Sequence, residues 1–180
     1  MKKSLVPALL VMAAAFGCAT ASQPLPTHPS VNLERYVGTW YEQARLPNRF
    51  QKACSGEVRA DYALQPGGGL GVTNQCRTAT GETRSARGEG RLARFEPQDP
   101  AKLEVRFAPA WTAWLPMVWG DYWIIRVEGD YQYALVGTPN RKYLWVLSRD
   151  KQADPATVAA LLRYADSLGF PVDQVQKTQP

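Results

Sequence analysis

The chain has 180 residues, 45% of them hydrophobic and 21% charged, with a formal net charge of +5 at pH 7. Loss of residues 1–17, which include Lys2 and Lys3, would change the balance from 21 − 16 to 19 − 16, or +3. This mild charge is spread along the chain, whereas nucleic-acid binding needs a dense basic face with exposed aromatic side chains, so we expect no nucleic-acid partner.

The first element is a predicted secretory signal. The stretch "MKKSLVPALLVMAAAFGC" has two lysines, then an apolar run, then small residues, and it is too short to remain as a membrane span. Because "AFGC" resembles a bacterial lipobox, we predict a signal peptide at residues 1–17 and lipidation of Cys18. The following "ATA" suits an ordinary signal peptidase, which would discard Cys18 and give a soluble periplasmic protein.

A linker and one domain follow the signal. Residues 18–31 contain three prolines in "SQPLPTHPS", a composition that predicts a semi-rigid tether. Residues 32–180, about 150 residues, are long enough for a single domain with a sizeable core.

Short runs with period-two patterning begin at Gly38, each bounded by glycine, proline or charged turns. The runs are "GTWYEQARL", "GEVRADYAL", "GLGVTNQC", "TRSARGEGRLARFE", "KLEVRFAP", "DYWIIRVE", "YQYALVGT" and "KYLWVLSR". Eight such strands in succession predict an all-β fold, an antiparallel up-and-down sheet whose closure into a barrel would remove its edges.

The second and third runs form a predicted hairpin. Its turn at residues 65–69 contains three glycines, which can adopt the positive dihedrals that a tight turn needs. Cys54 and Cys76 lie almost symmetrically about this turn. In an oxidising compartment we expect a structural disulfide between them, with a reactive thiol as the alternative.

A helix is predicted after the strands, in "ADPATVAALLRYADSLGFP". Asp154 can cap its start, Pro155 fits the first turn, and Gly169 and Pro171 end it. Its apolar side chains fall on one face and should pack against the outside of the barrel. They are Val158, Leu161, Leu162, Ala165 and Leu168.

Three separated motifs resemble those of the lipocalin family, and within it the bacterial outer-membrane lipocalins related to apolipoprotein D. They are "GTWYE" at 38–42, "GDY" at 129–131, with glycine where the family usually has threonine, and "LSR" at 147–149. The resemblance implies that Trp40 closes the barrel floor and that Arg149 lies across its ring, with Gly38 giving the chain room beneath. Such stacking is favoured by cation–π attraction.

The inward face of several strands can be argued from this arrangement. Arg149 must point toward Trp40, so Tyr143, Trp145 and Leu147 share its face. In the other strands we take the alternating residues that are apolar to face inward, and for Tyr122 and Ile124 the inward direction is what the family resemblance implies. Together these residues form a predicted ligand-binding lining. It consists of Tyr62, Val72, Asn74, Leu103, Val105, Phe107, Trp111, Trp114, Tyr122, Ile124, Tyr143 and Trp145. For the fourth run, which is rich in Arg and Gly, the sequence does not indicate which residues face inward.

Two polar residues fall on inward faces. Asn74 could hydrogen-bond a ligand headgroup, or it could be a satisfied wall residue. Glu42 shares the inward phase of Trp40 and Ala44 and needs a partner if buried, for which Arg149 or a polar group near the floor is expected. A counter-charge for a ligand is the alternative.

The stretch "APAWTAWLPMVWGDYW" holds four of the six tryptophans, two of which, Trp111 and Trp114, belong to the predicted lining. An exposed apolar cluster of this size usually binds something. The resemblance places it at the open mouth, where it could form a lid or enter a membrane interface. The alternative is a plug of mutually packed rings.

The sequence therefore predicts a carrier without catalytic residues, cofactor or metal. The resemblance implies fatty acids or lysophospholipids as ligands and a role in envelope maintenance or lipid salvage at the outer membrane, facing the periplasm. The alternatives are an enzyme on the same scaffold and an interaction module using the Trp-rich mouth. His28, the only histidine, lies in the linker, which excludes His-based triads. Whether two mouths meet in a homodimer stays open.

Overall fold

The computed structural model describes residues 23–66, 68–94 and 97–179. The predicted signal peptide and Cys18 lie outside these residues. The strands are β1 (Gly38–Arg45), β2 (Cys54–Leu64), β3 (Leu70–Thr78), β4 (Thr83–Leu92), β5 (Lys102–Arg106), β6 (Gly120–Glu128), β7 (Tyr133–Gly137), β8 (Leu144–Ser148) and β9 (Gln176–Lys177). The helices are α1 (Leu33–Tyr36) and α2 (Pro155–Ser167).

Strands β1 to β8 form the predicted antiparallel up-and-down barrel. Each strand from β2 to β8 pairs with the next, β8 pairs with β1, and β1 pairs with β2 to close the sheet. The eight-stranded barrel and the helix outside it are therefore confirmed.

The ninth strand was not predicted, and it completes the barrel wall. β1 pairs with β2 only over its first half, up to Tyr41. Beyond that point β9 pairs with Ala44 and Arg45, and the amide of Glu57 in β2 donates to the carbonyl of Gln179. The C-terminal segment thus bridges the two strands where they separate, and it satisfies backbone groups that would otherwise form open edges.

The alternation of side chains along the strands produces two cores. One fills the barrel interior around Trp40, Tyr62 and Ile124. The other lies between the outer face and α2, where Leu161 and Ala165 are buried and Val158, Leu162 and Leu168 pack beside them. The predicted apolar face of α2 is therefore confirmed, as is its cap, since Asp154 accepts from the amides of Ala156 and Thr157.

Two bulges change the side-chain phase that the sequence predicts. The register of β1 shifts between Glu42 and Ala44, so Ala44 joins the outer core instead of the interior. A similar shift between Ile124 and Arg126 of β6 turns Val127 toward the interior. A bulge adds one residue to a strand and so reverses the alternation beyond it.

The floor of the barrel is built as the family resemblance implies. The guanidinium carbon of Arg149 lies 3.9 Å from the ring centroid of Trp40, and Trp40 is fully buried. Arg149 also donates to the carbonyls of Thr39 and Val37, both at 2.9 Å. Gly38 has φ +99°, and a Cβ there would lie 3.2 Å from Arg149 Nη1.

The up-and-down topology gives the barrel two distinct ends. The floor end holds α1 and the connections that follow β2, β4 and β6. The open end holds the other connections, residues 46–53, 79–82, 107–119 and 138–143. Near the open end the predicted disulfide joins Cys54 of β2 to Cys76 of β3. No helix in the described part of the chain is long and apolar enough to cross a membrane.

We expect Gly38→Ala to lower the free energy of unfolding by about 1–3 kcal/mol. Alanine at this position would adopt a strained positive φ, and its Cβ would lie close to the guanidinium of Arg149, which hydrogen bonds hold in place. Gly81→Ala is the matched control, since Gly81 has φ +83° but an added Cβ would have no neighbouring atom within 4 Å. Urea unfolding of both variants measures the difference. Equal losses would contradict the close contact between Gly38 and Arg149.

Candidate functional site

Three tyrosines fill the lower half of the barrel interior. Tyr36 rises from α1, and its hydroxyl lies 2.8 Å from that of Tyr122. Tyr62 donates to the same Tyr122 oxygen at 2.8 Å. The Tyr36 ring also packs on Trp40 with a centroid distance of 5.0 Å. This cluster, the tyrosine triad, forms the base of any space above it.

Burial keeps the triad neutral. Desolvation raises the pKa of Tyr62 to about 12, and it also raises the pKa of Tyr36 and Tyr122 well above the usual range of a phenol. The base of the barrel therefore presents uncharged hydroxyls in an apolar setting. Uncharged hydroxyls at the bottom of the interior are more compatible with the apolar end of a ligand than ionised groups would be.

The upper half of the interior is accessible from the open end. Register places Val72 opposite Gly88 and Asn74 opposite Ala86, and Val72 is buried in the interior core. The inward face of β4, which the sequence could not assign, therefore carries Ala86 and Gly88. Ala86 points inward and is still exposed, so the interior is a cup open to solvent above the tyrosine triad.

Asn74 is an unsatisfied polar group on the cup wall. Its side chain faces inward, and its Oδ1 atom is buried without a hydrogen-bond partner. A buried amide oxygen without a partner costs about 1–3 kcal/mol. Asn74 is therefore not the satisfied wall residue of the alternative, and its contact with a ligand headgroup stays a prediction.

Glu42 belongs to a polar cluster and not to the floor. Arg45 donates to Glu42 Oε1 at 2.6 Å, and Gln51 Nε2 donates to Oε2 at 2.5 Å. Thr178, just beyond β9, donates to the same Oε1. The expectation of Arg149 as its partner is wrong, because Arg149 is occupied by backbone carbonyls and the bulge after Glu42 turns Arg45 inward instead.

Aromatic rings lead from the open end into the cup. Tyr143 and Trp145 stack with centroids 6.0 Å apart, and Phe50 lies 5.7 Å from Tyr143. Trp145 Nε1 donates to Gln51 Oε1 at 3.0 Å, which ties the aromatic wall to the Glu42 cluster. The predicted positions of Tyr143 and Trp145 on one inward face agree with this arrangement.

The other residues of the predicted lining, apart from the two tryptophans of the loop between β5 and β6, differ in how deeply they are buried. Tyr62, Val72, Leu103, Tyr122 and Ile124 are buried in the interior core, and Val105 packs against it. Phe107 lies near the open end with 43% exposure, its ring covering Gly88. Contact of these side chains with a ligand stays a prediction.

Trp111 and Trp114 are 76% and 74% exposed, so the alternative of a plug of mutually packed rings is wrong for these two side chains. Their contact with a ligand, as a lid or as lining, stays a prediction. The reason for their exposure lies in Trp119, whose ring lies 3.7 Å from the Arg91 guanidinium carbon and 5.2 Å from that of Arg106. Arg91 and Arg106 follow the outward phase of β4 and β5, so Trp119 holds the loop against the outside of the barrel.

Sequence reasoning missed four residues of the site: Tyr36, Arg45, Gln51 and Thr178. Tyr36 lies on a four-residue helix, which has no detectable period. Gln51 and Thr178 come from a loop and the C-terminal segment. No sequence signal could have found Arg45, because residues i and i+3 of a regular strand point to opposite faces and only the bulge after Glu42 brings its side chain to the carboxylate.

Comparison with known proteins identifies the family. A family model described as a lipocalin-like domain matches residues 31–180. The chain belongs to the lipocalin family. It is similar to temperature-induced lipocalin-1 of Arabidopsis thaliana, with 37% identity over 160 residues that cover 88% of this chain and 84% of the relative. It is also similar to outer membrane lipoprotein Blc of Escherichia coli K12, with 31% identity over 175 residues and 94% of each chain covered.

Solved lipocalin structures share the fold. Insecticyanin from Manduca sexta superimposes with a TM-score of 0.66 at 17% identity, over 89% of this chain and 86% of that chain. Lipocalins bind small hydrophobic ligands and are in general binding proteins rather than enzymes. In residues 23–66, 68–94 and 97–179, no three His, Cys, Asp or Glu side chains are placed to hold a metal ion.

The tyrosine triad predicts a loss of stability at alkaline pH. An unfolded phenol ionises near its usual value, while the pKa of Tyr62 in the fold is about 12. The stability that comes from keeping this phenol neutral in the fold is therefore fully present below about pH 10. It is lost as the pH rises toward about 12, and the free energy of unfolding falls by about 2 kcal/mol for one such group.

Tyr62→Phe should remove this part of the alkaline decline, and Tyr41→Phe, which changes a phenol on the outer face, should retain it. Urea unfolding between about pH 8 and pH 11 measures the slope for each variant. An unchanged slope in Tyr62→Phe would contradict the buried, neutral state of this hydroxyl.

Proposed function

We propose that the protein binds single-chain amphiphiles, such as fatty acids or lysophospholipids, in the cup and carries them within the bacterial cell envelope. The observation that carries the proposal is the division of the interior. Side chains fill the lower half, and the upper half is lined by apolar and aromatic groups that stay accessible from the open end. An eight-stranded barrel is wide enough for one small ligand.

The cup matches the chemistry of such a ligand in order from base to mouth. An acyl chain would rest on the tyrosine triad and along Val105 and Trp145, and each buried methylene contributes about 0.8 kcal/mol. Its polar head would lie higher, where Asn74 has an unsatisfied oxygen. Arg84, on the same inward phase of β4 as Ala86 and exposed near the open end, would face an anionic head.

The proposed location follows from the sequence before the domain and from the relatives. The N-terminal stretch has the features of a bacterial signal with a lipobox, and the similar protein of Escherichia coli carries the description outer membrane lipoprotein. We infer that Cys18 is lipidated and that the few residues between it and Gln23 tether the barrel to the outer membrane, facing the periplasm, because Leu25 and Val31 are already buried against the barrel. Mass measurement of the mature N-terminus tests this part separately.

A variant that fills the cup tests the binding proposal. Ala86→Trp places an indole into the open space without removing any packed side chain, and Ser85→Trp places the same group on the outer face of the same strand. Native mass spectrometry after incubation with total bacterial lipid should show fatty-acid or lysophospholipid adducts on the wild type and on Ser85→Trp. We expect Ala86→Trp to lose at least about tenfold in affinity, since the indole occupies the site.

Fluorescence locates the bound ligand. In a chain that carries Trp111→Phe and Trp114→Phe, which removes the two exposed indoles, an emission shift on ligand addition should persist with Trp123→Phe, which changes the outer face, and disappear with Trp145→Phe. Adducts that survive in Ala86→Trp, or a shift that persists without Trp145, would contradict binding in the cup. Conversion of the added lipid into a new mass would instead favour an enzyme.

A further inference from the structure

The open end carries a rim of exposed apolar side chains. Phe50 is 65% exposed, Trp111 76%, Trp114 74% and Met117 85%. They come from two connections, residues 46–53 and 107–119, which the topology brings to the same end. Large aromatic side chains in water are costly unless something covers them, and tryptophan in particular favours the interface between lipid and water.

The same end is cationic. Its four connections contain Arg49, Lys52, Arg141 and Lys142, and Glu82 is their single acid. The connections at the floor end contain three acids, Glu96, Asp99 and Asp130, and one cation, Arg94, so that end has no excess of positive charge. Cations beside exposed tryptophans are complementary to an anionic bilayer surface, since each attracts acidic headgroups while the rings enter the interface.

The loop that presents the rim is held firmly. Buried Arg106 donates to the carbonyls of Ala108 and Pro109, both at 2.6 Å, and Trp119 Nε1 donates to the Ala113 carbonyl at 2.9 Å. Two 3-10 turns, Ala110–Thr112 and Pro116–Val118, order the loop further. The exposed rings are therefore held facing the solvent, so little conformational entropy is lost when they contact a surface.

The N-terminal segment also begins at the open end. The carbonyl of Gln23 accepts from Arg141, in the connection between β7 and β8, at 2.5 Å. Further along, the amide of His28 donates to the Ile124 carbonyl at 2.9 Å, so the segment runs from the open end down the outer face. Four residues lie between Cys18 and Gln23, and the five steps from one Cα to the next can span at most about 18 Å. The barrel is longer than this reach, because the nine residues of β6 extend roughly 30 Å. A chain of this length therefore cannot lead from Gln23 at the open end to the floor end.

We propose that the open end of the barrel docks on an anionic lipid bilayer, with Phe50, Trp111, Trp114 and Met117 in the interface. The tether argument rests on the proposed lipidation of Cys18, whereas the rim and its charge do not. Docking in this orientation places the mouth of the cup against the lipid that it would load or release. The site therefore exchanges ligand with the membrane surface without crossing water.

An environment-sensitive fluorophore reports which end touches the membrane. One label is placed at Met117→Cys on the rim, and a second at Gln98→Cys, an exposed position at the floor end. Both labels are placed in the Cys18→Ser chain, which has no third thiol, since Cys54 and Cys76 are paired; mass spectrometry checks for single labelling. This chain is mixed with vesicles of phosphatidylethanolamine and phosphatidylglycerol, and separately with vesicles of phosphatidylcholine.

We expect the emission of the 117 label to rise about threefold or more on the anionic vesicles and to be quenched by brominated acyl chains, with a smaller response on phosphatidylcholine. The 98 label should not respond. Equal responses at both positions would overturn the orientation. Ligand binding in solution does not depend on this result, so the two proposals can fail separately.

A matched pair of variants tests the rim itself in the Cys18→Ser chain. Trp111→Ala with Trp114→Ala should weaken vesicle partitioning by about tenfold. Leu64→Ala, which removes an exposed apolar side chain at the floor end, should change it less than about twofold. Similar losses in both would overturn the proposal. Shielding of the 117 label at high protein concentration without vesicles would also overturn it, because the rim would then pair with a second copy.

Discussion

The stacking of Arg149 on Trp40 is the interaction on which the rest of the barrel depends. The guanidinium lies over the ring and donates to five carbonyls, those of Arg35, Tyr36, Val37, Thr39 and Tyr131. Three of these belong to the end of α1, where backbone carbonyls lack helical partners. One side chain at the end of β8 thus closes the floor, ends the short helix and fixes the start of β1.

The depth of the cup follows from this floor. Trp40 Nε1 donates to the carbonyl of Tyr36 at 2.7 Å, so the same interaction holds Tyr36 beneath the barrel with its hydroxyl pointing up to Tyr122. The tyrosine triad then fills the lower interior. Above it, the wall is completed by β9 and the Glu42 cluster, where the burial of an ion pair is offset by several hydrogen bonds.

Much of this architecture could be predicted from sequence because it depends on local patterning. The eight runs have clear period-two alternation, and α2 has a cap, a first-turn proline and an apolar face. The bulges after Glu42 and Ile124 could not be predicted, since each is one extra residue within an otherwise regular run. The phase of β4 was hidden because glycine and alanine line the cup there.

The candidate site was predicted in part for the same reason. Inward residues of regular strands were found, but Tyr36, Gln51 and Thr178 come from a short helix, a loop and the chain terminus, whose positions depend on tertiary contacts. The direction of Trp111 and Trp114 depended on Trp119 and its two arginines, a contact between distant segments. Aromatic density in the sequence identified the loop but not the side on which it lies.

The central claim is that an acyl chain descends into the cup until it meets the tyrosine triad. Calorimetric titration with saturated fatty acids of increasing length tests it most directly. Affinity should rise about fourfold with each added methylene and then reach a plateau, because further carbons have no space above the triad. Affinity that does not depend on chain length, or that rises without a plateau, would contradict a cup closed by this floor.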